Sequence, residues 1–254
     1  VTSSPLLVFD FDGVLVDGME EYWWAARRAC LDLAPGLVLP EPVPAAFARL
    51  RPWIHKGWEM VLLAAELSLG AEAETVAGAV DAAGYDARLA AALGRWGWSA
   101  AELQRALEQV RSVAIAQDRD AWLARHRFFP GVVERLQALA GEGAGWSVLT
   151  TKGGAFAEEL LAAAGLQPLA VYGHEQGSKP EVLLRLRAAG RPLWFLEDRR
   201  PTLELVRRST GLEAVRCYLV AWGYLAPDDR QGLEPLGIHW LEPEAFRAPL
   251  AEWP

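Results

Sequence analysis

The chain has 254 residues, 52% of them apolar, with 25 Lys and Arg against 33 Asp and Glu and a formal charge of −8. That composition describes a folded chain with a sizeable core and excludes wholesale disorder. The acidic balance argues against a nucleic-acid partner but leaves room for a small anionic ligand in a local positive pocket. Cys30 and Cys217 stand far apart and in no metal-binding spacing, which excludes a disulfide framework.

The start, Val1-Thr2-Ser3-Ser4, lacks the pattern of a signal peptide, and no run of 18 apolar residues suggests a membrane span. The expectation is a cytoplasmic protein without a membrane partner. Leu6-Leu7-Val8-Phe9 predicts a short buried strand ending at the polar turn Asp10-Phe11-Asp12-Gly13. A helix is expected over 19–32, then a loop with four prolines over 35–44, then mostly helix over 45–127. After Pro130-Gly131 the rhythm alternates. Helix is expected over 132–140, 155–164, 180–188 and 202–209, and strand over 146–149, 169–172, 193–196 and 215–220. Such alternation implies an α/β fold: a Rossmann-like parallel sheet with helices on both faces. The predicted core is 1–17 with 128–254, and a helical domain, 18–127, interrupts it after the first strand.

In open α/β sheets, ligands bind beyond the carboxyl ends of the strands. Three predicted strand ends carry Asp10 and Asp12, Thr150 and Lys152, and Glu197 and Asp198, and Lys179 precedes a helix. This set suits phosphoryl transfer through an aspartyl intermediate. One carboxylate attacks phosphorus and a second moves the proton. Acids without His or Cys ligands suit Mg²⁺, and a hydroxyl and an amine can hold phosphoryl oxygens.

Asp10-Phe11-Asp12-Gly13-Val14-Leu15-Val16-Asp17 resembles the first motif of the haloacid dehalogenase superfamily. Val148-Leu149-Thr150-Thr151-Lys152 resembles the second, Ser178-Lys179-Pro180 the third, and Trp194-Phe195-Leu196-Glu197-Asp198 the fourth. Phe129-Pro130-Gly131-Val132 resembles the return from cap to core, and the second motif is closest to the phosphoglycolate phosphatase-like branch. The resemblance implies Asp10 as nucleophile and Mg²⁺ ligand, and Asp12 as general acid/base with its carbonyl on the metal. It implies Thr150 and Lys179 as phosphate holders, with Asp198 and possibly Glu197 completing the metal site. Glu197 stands where Asp or Gly is commoner, and Gly18 where Ser is frequent; the insert is also large for that branch.

Gly13, Thr151 and Lys152 are further candidate substrate contacts, although Lys152 fits a solvated loop position equally well. Arg51-Pro52-Trp53-Ile54-His55-Lys56-Gly57-Trp58 is basic and aromatic. Arg51, His55 and Lys56 either reach a substrate or belong to a solvated helix connection. Seven of the 12 tryptophans fall in the insert, where helix packing is favoured over a substrate pocket. His126 and Arg127 read as surface residues at the return to the core.

The expected activity is hydrolysis of a small phosphorylated metabolite, phosphoglycolate first, by a monomer or homodimer. A dehalogenase is disfavoured because that branch usually lacks the second Asp. A phosphonatase is disfavoured because that branch usually has Ala at the Asp12 position. A non-catalytic binding protein on the same fold is the reading from another class.

Overall fold

The computed structural model describes residues 4–70 and 82–254, so the part of the predicted helical run at 71–81 lies outside the described residues. The chain divides into two compact units, Val1–Asp17 with Arg127–Pro254, and Gly18–His126.

The first unit is built on a six-stranded sheet with order β5-β4-β1-β6-β7-β8. The strands are β1 (Leu6–Phe9), β4 (Gly145–Leu149), β5 (Val171–Tyr172), β6 (Leu193–Glu197), β7 (Arg216–Val220) and β8 (Ile238–Leu241). All neighbours pair in parallel. Side chains alternate along each strand, which is why both faces are apolar. Leu6, Val8, Phe195, Cys217 and Leu219 share one cluster with Val182, Leu183, Leu203 and Val206. Phe9 turns the other way, edge-on to Trp146 and Phe246, while Trp194 and Tyr218 pack on Trp253.

The connecting helices are α6 (Val132–Ala138), α7 (Gly154–Ala163), α8 (Lys179–Arg187), α9 (Arg200–Arg208) and α10 (Pro243–Arg247). Successive strands run outward from β1 through β4 to β5, then restart at β6 on its other side. Right-handed crossovers in opposite directions place helices on opposite faces, and the reversal makes the end of β1 the switch point where ligands bind. A two-stranded antiparallel ribbon, β2 (Val16–Asp17) with β3 (Arg127–Phe128), joins the two chain segments that lead to and from the second unit.

The second unit is helical: α1 (Met19–Leu33), α2 (Ala45–Leu50), α3 (Gly57–Leu67), α4 (Ala82–Trp96) and α5 (Ala100–Leu123). Helix α1 buries Tyr22, Trp23, Ala25, Ala26, Ala29 and Cys30, a helical stripe whose alanines permit close packing on α3 and α5. Asp118 is non-helical (φ −155°, ψ 86°), and its side chain accepts the Ala121 N–H at 2.9 Å, so α5 is two segments with a cap at the break. Trp23 packs on Phe47, Trp96 stacks on Trp98, and Trp23 and Trp122 are fully buried, in line with packing roles. No described helix is long and apolar enough to cross a membrane.

His126 departs from its expected surface position. It is buried, with Nδ1 3.2 Å from the Trp122 carbonyl and Nε2 3.8 Å from Glu21. Its ring packs edge-on to Trp122, so the local α5 contacts decide its burial rather than its place at the end of the unit.

Candidate active site

Strand β1 delivers Asp10 into the switch point, where its N–H donates to the Leu196 carbonyl at 2.9 Å. The next turn closes tightly: Gly13 N–H donates to Val16 O, and Leu15 and Val16 N–H groups donate to Phe11 O. Gly13 has φ +91°, and a Cβ there would lie 2.0 Å from Asp198 Oδ2. Backbone conformation and close approach therefore both demand glycine. This fixes Gly13 as a structural element of the site, placed against an acid.

Lys179 is the first residue of α8, and Pro180 beside it needs no donor there. Its Nζ lies 2.7 Å from Asp10 Oδ1 and 2.6 Å from Glu197 Oε2. Glu197 is fully buried at the end of β6. Its Oε1 accepts the N–H groups of Asp198 and Arg199, both at 3.1 Å. Carboxylate oxygens of Asp10, Glu197 and Asp198 all lie within 4.8 Å of one another.

That crowding shows in proton affinity. Burial, and then the Glu197 charge, push the Asp10 carboxyl up to about 7, against the lowering pull of Lys179. Burial likewise raises Glu197. For Lys179 burial works to lower the value, but the charges of Asp10 and Glu197 outweigh it and raise the result. Three close, buried carboxyls with all-oxygen donors fit a hard divalent cation, which would relieve the repulsion that Lys179 offsets only in part. The Asp12 side chain stands outside this trio.

Asp12 pairs instead with Lys152, whose Nζ lies 3.2 Å from Asp12 Oδ1. The solvated alternative for Lys152 is corrected: its side chain is 1% exposed. Its N–H donates to Thr150 Oγ1 at 3.0 Å, which ties the hydroxyl at the end of β4 to the same loop. Thr150 is buried and Thr151 exposed.

The loop after β7 was missed by sequence reasoning. Trp222 Nε1 donates to Val14 O at 2.9 Å, Tyr224 N–H donates to Asp198 Oδ2 at 2.9 Å, and Tyr224 Oη lies 2.5 Å from Asp17 Oδ1. A Cβ on Gly223 would lie 2.2 Å from the Asp198 Cβ and 2.7 Å from Gly13 O. Trp222-Gly223-Tyr224 thus clasps Asp198 and the turn after β1. The Trp-Gly-Tyr run after an apolar strand signals a turn, but nothing in it points to the residues that it clasps.

Arg51, His55 and Lys56 lie in the helical unit. The Arg51 guanidinium is buried 5.2 Å above the Tyr22 ring. Glu59 accepts the N–H groups of His55 and Lys56 and the Tyr85 hydroxyl, so this connection is a built turn. His55 Nε2 is 3.7 Å from Asp86, and Lys56 is exposed.

Comparison with known proteins agrees with this geometry. Residues 5–187, more than half of the chain, match the sequence profile of haloacid dehalogenase-like hydrolases. The chain belongs to that family. Comparison with curated proteins gave no match. Among solved structures, a predicted phosphatase from Clostridium acetobutylicum superposes with TM-score 0.61 at 12% identity, over 95% of this chain and 94% of its own. A predicted phosphoglycolate phosphatase from Haemophilus somnus 129pt gives TM-score 0.58 at 16% identity, over 97% and 96%. Protein Tyrosine Kinase A of Mycobacterium tuberculosis gives 0.56 at 19%, over 98% and 96%. At these identities the likeness establishes a shared fold, and that fold carries proteins named for different reactions.

Proposed function

We propose that the protein is a Mg²⁺-dependent phosphatase that hydrolyses a small phosphorylated metabolite through an aspartyl-phosphate on Asp10. The observation that carries this reading is the division of two nearby acids between two lysines. Asp10 is held by Lys179 among the buried carboxyls, while Asp12 is held apart by Lys152. That division supports different roles for the two acids, and we assign Asp10 as nucleophile and Asp12 as proton carrier.

Asp10, Asp198 and Glu197 would hold the metal, and the family resemblance adds the Asp12 carbonyl. The ion's contribution when bound is to offset negative charge on the phosphoryl oxygens and on the ionised Asp10. In the first step an Asp10 carboxylate oxygen bonds to phosphorus. The bond from phosphorus to the substrate oxygen breaks as Asp12 gives that oxygen a proton. In the second step Asp12 takes a proton from water while the water oxygen bonds to phosphorus. The Asp10–phosphorus bond then breaks, freeing phosphate. Lys179 and Thr150 are assigned to the phosphoryl oxygens. Substrate choice is assigned to the helical unit through Arg51, His55 and Lys56, with phosphoglycolate the first candidate.

The test is phosphate release from a panel of phosphorylated metabolites, with Mg²⁺ and with excess EDTA. Release that depends on Mg²⁺ is expected. No release from any member with Mg²⁺ present, or undiminished release in EDTA, would refute the reading.

A further inference from the structure

We infer that Lys152 is a positioning residue that fixes the orientation of the Asp12 carboxylate, and is not a contact to the substrate phosphate. The inference rests on the phosphatase reading for its consequence, but its geometry stands independently.

The Lys152 side chain is 1% exposed while that of Asp12 is 17% exposed. The lysine is therefore the fixed member of the pair. Its backbone is anchored on both sides, with its N–H on Thr150 Oγ1 and its carbonyl accepting the His174 N–H at 3.2 Å. A buried ammonium must keep an acid beside it, because a charge out of water without a partner is costly. With Nζ 3.2 Å from Oδ1, that requirement favours the rotamer that keeps the Asp12 carboxylate against the ammonium. The chain has three lysines, at 56, 152 and 179, and the last already bridges Asp10 and Glu197. The two buried lysines thus divide the labour: Lys179 serves the nucleophile and Lys152 the proton carrier.

A general acid must point at the leaving oxygen, and misplacement by about 1 Å costs about 10²-fold in rate. Binding of the phosphoryl group does not share that requirement. The variants are Lys152→Met, which keeps the length and removes the charge, and Lys152→Gln as a second in case the first folds poorly. The readouts are kcat and KM on the best alkyl phosphate and on p-nitrophenyl phosphate, the inhibition constant of inorganic phosphate, and the crystal structure of the variant.

The expected result is a loss of about 10²-fold in kcat on the alkyl phosphate. The nitrophenyl ester, whose leaving group needs no proton, should lose much less, and phosphate inhibition should stay unchanged. The Asp12 carboxylate should rotate away from its wild-type position. Equal losses on both esters with weaker phosphate inhibition would make Lys152 a phosphate contact and overturn the inference. An Asp12 rotamer that survives the substitution would overturn it as well. That structural arm needs no turnover, so a wild-type protein inert toward every phosphate ester would refute the phosphatase reading alone.

Discussion

Each unit of the molecule buries charge, and the two do it differently. In the helical unit Glu21 is fully buried and meets one guanidinium in a fork: Arg111 Nε at 2.8 Å and Nη2 at 2.7 Å, with Trp122 Nε1 at 3.2 Å. Acid and cation match, the geometry is bidentate, and the pair ties α1 to α5. In the sheet unit three carboxyls converge, and Lys179 bonds two of them. Burial, and then the Glu197 charge, raise the Asp10 carboxyl to about 7. A balanced buried pair leaves neither charge stranded, whereas an excess of buried acid leaves a cluster whose repulsion a cation would relieve.

The contrast can be broken experimentally from either side. The largest effect should come from Asp10→Asn, which removes the nucleophile: turnover should fall by about 10⁴-fold or more, with the fold retained by circular dichroism. Turnover within 10-fold of wild type would contradict the assignment. In the helical unit, Arg111→Met leaves Glu21 buried without its fork, at a cost of about 3–5 kcal/mol. The melting temperature should drop by about 10 °C. The double variant Glu21→Leu with Arg111→Met should recover most of that loss, since neither charge is then stranded. A double variant as unstable as the single one would show that the pair itself is not the issue.

Glu197→Gln tests the unbalanced side more gently. It removes one carboxyl from the trio and the charged partner of Lys179, and should weaken Mg²⁺ binding by about 10- to 100-fold in a calorimetric titration. Unchanged affinity would take Glu197 out of the metal site.

The smallest effect is a pH dependence of the metal-free protein. Asp10 holds its proton more tightly when folded, at about 7, than at its ordinary 3.8. The folded state therefore binds more protons between those values, and stability falls as pH rises through that window. In chelator, Asp10→Asn should melt a few degrees above wild type at pH 8, with the gap roughly halved at pH 5.5 and nearly closed at about pH 4. A gap that did not change with pH would contradict the raised Asp10 carboxyl.

Much of this was legible in the sequence, because short apolar runs ending in acids or Thr mark strand ends in a parallel sheet. Leu6–Phe9 was expected as a strand and is one, and Asp10, Asp12, Thr150, Lys152, Lys179, Glu197 and Asp198 all gather in the sheet unit. Three kinds of feature were not legible. Strands β2 and β3 have two residues each, too few for any period to show. Strand β8, Ile-His-Trp-Leu, keeps its two middle residues partly exposed and so lacks a continuous apolar run. The clasp by Trp222, Gly223 and Tyr224 acts on residues as far as 208 positions away, and no local pattern encodes that. Lys152 belongs to the same class: its buried ammonium pairs with Asp12, from a distant strand end.

The central claim is that Asp10 carries the phosphoryl group. Rapid-quench labelling with a phosphorylated substrate, followed by peptide mapping, tests it most directly. The account predicts a hydroxylamine-labile acyl phosphate on Asp10, absent in Asp10→Asn. Label on another residue, or steady turnover with no covalent phosphoenzyme in wild type, would contradict it.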